Sequence, residues 1–116
     1  MIEAVEHTGH NYNCWFGQSI WSNDSWHLKI PANNAWLSVE PMLGEVVIDA
    51  WDRPDFVVAG AETGRNARPS DLDWFRRLRN DCAELDIPFF LKQVDSKRNR
   101  ILDGVTHDAL PWGEGE

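Results

Sequence analysis

Two short apolar runs frame the most regular stretch of the chain. Residues 56–61 read FVVAGA and residues 88–93 read PFFLKQ. The first is near-continuously apolar, the pattern of a strand buried on both faces, and the second reads as the next buried strand. Between them Leu72, Phe75, Leu78, Cys82 and Leu85 recur at helical spacing and make one apolar face. Arg76, Arg77 and Arg79 fall largely on the other face. Ser70 is a good N-cap residue, and Asp73 stands three positions later, so a helix over 70–85 opened by a capping box is predicted. A strand, a helix and a strand in this order make a right-handed parallel unit.

Upstream the pattern is shorter. Residues 14–20 (CWFGQSI) make a strand in which Gly17 allows close approach, and residues 35–40 (AWLSVE) make a second that stops at Pro41. Residues 45–51 fit either a short strand or a helical turn. Residues 1–13 are polar without periodicity and read as a loose arm, residues 94–104 as a charged loop, and residues 113–116 as an acidic tail. Residues 14–112 then form a single α/β domain: a small, mostly parallel sheet of about four strands with one firm helix. Length agrees, since 116 residues hold one core but not a complete eight-fold barrel of about 250 residues.

Ligands of open parallel sheets sit outside the carboxyl ends of the strands. Those ends carry Ser38 and Glu40, then the polar run from Glu62 through Arg65 to Arg68, then Lys92 and Gln93. Glu40 and Glu62 are able to accept hydrogen bonds from a ribose or an amine, and Arg65, Arg68 and Lys92 to meet a carboxylate or phosphate. The alternative, preferred on the residues alone, pairs Glu40 and Glu62 with Arg68 and Lys92 as structural ion pairs.

Charge changes the picture of partners. The net charge is −8. Residues 1–64 hold nine acids against two bases, residues 65–100 nine bases against six acids, and residues 101–116 four acids and no base. That balance argues against a general nucleic-acid binder and permits a basic partner. Seven tryptophans are more than a core this small hides completely, so some belong to an interface. Trp21, Trp26 and Trp51, with Asp49, Asp52 and Asp55, lie in the irregular acidic half and are the candidate partner-binding residues. No apolar run is long enough to span a membrane, and residues 1–11 do not read as a signal peptide, so the cytoplasm is expected. Cys14 and Cys82 stand far apart and make no disulfide framework. His7, His10 and Cys14 are zinc-ligand types at an unfamiliar spacing, and no metal is expected there.

The stretches WFGQSI, IPANNAWLSVEPMLG, FVVAGAETGRNARPSDLDWFRRLRNDCAELDIPFFLKQ and LDGVTHDALPW resemble, in order and spacing, the C-terminal half of a phage-associated family of radical-SAM-like proteins, mostly of unknown function. The resemblance implies a half-barrel fold. It also implies ligand-binding strand ends at Ser38, Glu40, Gly60, Glu62, Arg65, Arg68, Lys92 and Gln93. Ala61 stands where the family has the second glycine of a Gly-Gly-Glu strand end, which leaves that strand imperfect. The three-cysteine motif that holds an iron–sulfur cluster in such enzymes has no counterpart here, which leans away from catalysis and from any cofactor.

Three functions follow as expectations. The first is a phage-derived, non-catalytic binding protein, an acidic inhibitor of a host defence or nucleic-acid machine in the manner of an anti-CRISPR, meeting a host protein or ribonucleoprotein through a basic surface. The second is a C-terminal fragment of a radical-SAM-like enzyme that needs a separate cluster-bearing chain. The third is a small-ligand or nucleotide-binding module. A half barrel leaves sheet edges open, so a homodimer is compatible with each.

Overall fold

The computed structural model describes residues 2–6, 14–22, 34–51 and 53–111. Five strands form one sheet in sequence order: β1 (Ile2–Glu6), β2 (Cys14–Ile20), β3 (Ala35–Val39), β4 (Phe56–Ala59) and β5 (Phe89–Leu91). β2 to β5 are parallel, and β1 runs antiparallel to β2. The expected four-stranded parallel sheet with one helix is therefore present, with an extra strand at its edge. Residues 2–6 correct the reading of a loose arm over 1–13. Their backbone is held by the ladder to β2, a long-range contact that local periodicity does not report.

Register sorts the side chains into two faces. Leu37, Val57 and Phe89 lie in one row, and Val39, Ala59 and Leu91 in the next row on the same face. These six join Phe75, Leu78 and Cys82 of the helix α1 (Leu72–Glu84) in one buried cluster. The Val, Leu and Phe side chains among them each contribute about 1.5–3 kcal/mol through burial. The opposite face carries the row Ser19, Ser38, Val58 and Phe90. Phe56 and Val58 are buried there too, so β4 is covered on both sides as its apolar run predicts.

The helix starts one residue later than its sequence pattern suggests. Asp71, not Ser70, is the N-cap, and its carboxylate accepts from the backbone N–H of Asp73. Ser70 instead donates its hydroxyl to the Met42 carbonyl at 2.6 Å. Leu72 consequently sits on the exposed first turn rather than in the apolar face.

Between β3 and β4 no helix forms. The segment 42–48 crosses irregularly and buries Met42, Val46 and Ile48 against the core. Side chains from elsewhere satisfy its backbone: Asp81 accepts from the Ile48 N–H, while Ser70 serves the Met42 carbonyl. After β5, residues 101–106 form a small hairpin, β6 (Ile101–Leu102) and β7 (Val105–Thr106), where the sequence pattern reads as loop up to residue 104. Asp103 and Gly104 take positive φ at its turn, and Asp103 is clamped by Arg76 and Arg79 of α1. The chain then returns along β5: the Leu91 N–H donates to the His107 carbonyl, and Asp108 bridges Phe90. The open edge expected beyond β5 is thus partly covered.

Candidate functional site

The carboxyl ends of β3, β4 and β5 converge on one carboxylate. Glu40 follows β3 directly. Lys92, one residue past β5, approaches its Oε1 at 3.1 Å, and the Gln93 side-chain amide donates to its Oε2 at 3.1 Å. The same Gln93 amide donates to the Ala61 carbonyl at 2.7 Å, and Gln93 is itself buried. Backbone bonds align the three strand ends: Gly60 N–H to the Val39 carbonyl, Ala61 N–H to the Gln93 carbonyl, and Lys92 N–H to the Ala59 carbonyl. Position 60 has to be glycine for this packing. A Cβ there would stand 2.7 Å from Gln93 Nε2 and 3.0 Å from Glu40 Oε2.

Glu62 has a different task. Both its oxygens accept from the Arg68 guanidinium, at 2.8 and 2.9 Å, and Oε1 also accepts from the Arg68 backbone N–H. These bonds, the side-chain pair first, lower its pKa to about 2. The pair closes the loop 62–68 on itself. The two ion pairs expected as structural therefore form, but only the Glu40–Lys92 pair lies at the convergence of strands.

Of the family-like positions, Glu40, Gly60, Lys92 and Gln93 come together. Glu62 and Arg68 form the neighbouring loop clamp, Arg65 is exposed on that loop, and Ser38 is half-buried on β3 beside Ser19 of β2. Ala61 does not impair the site: its side chain belongs to the core cluster, and only its backbone meets Gln93. Sequence reasoning missed Ser19, and read Ser70 as a helix cap rather than as the donor to the Met42 carbonyl. Ser19 alternates with Gly17, and Gly17 lies flat beneath the Trp36 indole, where a Cβ would come within 2.3 Å of the ring. The Gly-x-Ser alternation in β2 was the available signal for that face.

The described candidate partner-binding residues do not all converge. Trp21 follows the carboxyl end of β2, and its carbonyl accepts from the Leu43 N–H. Trp51 precedes β4 at the opposite end of the sheet. The two are 50% and 93% exposed. Asp49 is exposed and accepts from the Trp51 N–H. Asp55 is structural: it accepts from the Ala35 N–H at 3.0 Å and pairs with Arg53 at 3.7 Å. Trp26 and Asp52 lie outside the described residues, as do His7, His10 and the tail 113–116. Among the described residues no group of three or more metal-ligating side chains gathers.

Comparison with curated proteins and with solved structures yields no match. A family model does match, over residues 1–111, nearly the whole chain; the protein belongs to the family described as Protein of unknown function (DUF5131).

Proposed function

We propose that this protein binds a small polar ligand at the carboxyl ends of β3, β4 and β5, as the C-terminal half of a radical-SAM-like barrel. The observation that carries the reading is Glu40, held on one oxygen by Lys92 and on the other by Gln93 and packed closely against Gly60. A carboxylate has about four acceptor sites, so two remain for a ribose diol or an amine. Lys92, half-exposed at its side chain, offers a cation to a carboxylate or phosphate on the same ligand. Gln93 is positioned by the Ala61 carbonyl and so sets the orientation of Glu40.

The residues present do not fit an iron–sulfur cluster. Such clusters need several thiolates, and Cys82 is buried with its thiol pushed up to about 12 by desolvation. Cluster ligands are therefore not supplied by these 116 residues, whose role in this reading is binding and orientation.

Calorimetric titration with S-adenosylhomocysteine tests the reading. A saturable heat is expected from the native protein, lost in Glu40→Ala and Lys92→Met and kept in Glu45→Ala on the exposed crossover. No saturable heat from the native protein, or an undiminished one from both site variants, overturns it.

A second reading has one observation in its favour, the almost complete exposure of Trp51 beside Asp49. An aromatic anchor flanked by acid suits a basic host protein or ribonucleoprotein, as in an anti-CRISPR-like inhibitor. Trp51→Ala together with Asp49→Asn would then abolish capture of that partner and leave the titration above unchanged.

A further inference from the structure

We infer that the rim at the carboxyl end of the sheet, formed by the loops after β4 and β5, binds single-stranded nucleic acid through its phosphates. This goes beyond the small-ligand site and uses none of its residues. The starting point is the pairing of cations. Arg53, Arg68, Arg76, Arg77, Arg79 and Lys92 each have a carboxylate partner. Arg65, Lys97, Arg98 and Arg100 are exposed and have no ion pair with any described residue. All four lie on the same two loops.

The loops are neighbours. Arg68 to Ser70 and Val94 to Ser96 line one cleft between them. Of the acids on this rim, Glu62 pairs with Arg68 and Glu40 with Lys92, while Asp95 accepts from the backbone N–H groups of Lys97 and Asn99 and Asp71 from that of Asp73. The loop after β5 is also shaped. The Val94 N–H donates to the Asn99 carbonyl at 2.7 Å, and Arg98 takes a positive φ of 65° at the turn. Against the chain's net charge of −8, Arg65, Lys97, Arg98 and Arg100 outnumber Asp71 and Asp95, the acids of these two loops that have no ion pair among the described residues, and make the rim a local positive field.

An aromatic platform adjoins it. The Arg100 guanidinium lies 5.3 Å from the centroid of the half-buried Phe90 ring. Cations that track phosphates, with an aromatic–guanidinium stack beside them, are the usual means of holding single strands without sequence preference. A free phosphate would engage only part of this rim, whereas cations spread over two loops suit phosphates repeated along a chain.

The experiment is fluorescence anisotropy with a labelled single-stranded oligonucleotide at several salt concentrations, with heparin and the matching duplex as competitors. Binding is expected to weaken with salt, and the single strand to compete better than duplex or heparin. Lys97→Glu with Arg98→Glu should lower affinity roughly tenfold and flatten the salt slope by about 1.4, with the thermal melt unchanged. Phe90→Leu should weaken binding without changing that slope. No binding at low salt, undiminished binding by the double variant, or heparin or duplex competing as well as the single strand would each overturn the proposal.

Discussion

Cys82 and His107 are the side chains whose chemistry burial changes most. Cys82 packs with Phe75 and Leu78, and desolvation, helped by Asp81, raises its thiol to about 12. It should therefore resist a thiol reagent in the folded Cys14→Ser variant and react fully in urea; rapid native labelling would mean that the helix face is open. His107 packs its ring 5.6 Å from Phe89, and its Nε2 is buried without a partner among the described residues. Desolvation first, then Arg79, lowers its pKa, while Asp103 and Asp108 oppose the shift. The folded protein binds this proton more weakly than the unfolded chain. Its contribution to stability is complete above 6.5 and is lost as pH falls from there through the lowered folded value. Urea melts on either side of 6.5 should show this decline, and His107→Phe should remove it. Residues of this kind are half legible in sequence. Cys82 announces itself by its place in the helical stripe, whereas the burial of His107 depends on the hairpin before it, which brings the chain back against β5.

At the scale of elements, legibility followed range. The parallel strands and α1 carry their own signals, apolar runs and a helical stripe, and both appear where those signals stand. The cap is a finer matter. Ser70 and Asp71 are both good N-cap residues, and the tertiary bond from Ser70 to the Met42 carbonyl decides between them. Asp71→Ala should therefore cost about 1 kcal/mol through the lost cap. Phe75→Ala should cost about 3–5 kcal/mol, because Phe75 is fully buried in the cluster that joins α1 to the sheet. Urea melts measure both, and a Phe75→Ala loss under about 1 kcal/mol would contradict the packing described. β1 and the β6–β7 hairpin escaped the sequence reading for one reason: partners and turn geometry hold them, not their own periodicity. The β3–β4 crossover is similar, since its order comes from Ser70 and Asp81, distant in sequence.

For the whole molecule, the sequence pointed to the carboxyl end of the sheet but not to the grouping within it. Eight strand-end residues pointed to one site. Four of them meet around Glu40, two close a loop, and of the described residues set aside for a partner Trp21 lies at one end of the sheet and Trp51 at the other. Sequence order could not separate these, because Glu40 and Glu62 have the same chemistry and differ only in which cation reaches them. No helix among the described residues is long and apolar enough to cross a membrane. The central claim is that the chain binds its ligand at the Glu40–Gly60–Lys92–Gln93 junction. The most direct measurement is a two-dimensional amide NMR titration of the labelled protein with S-adenosylhomocysteine. Saturable shifts confined to Gly60, Ala61, Lys92, Gln93 and their neighbours, and absent in Glu40→Ala, are the predicted result. Shifts centred on Trp51 or on the hairpin around Asp103, or no saturable shift at all, would contradict it.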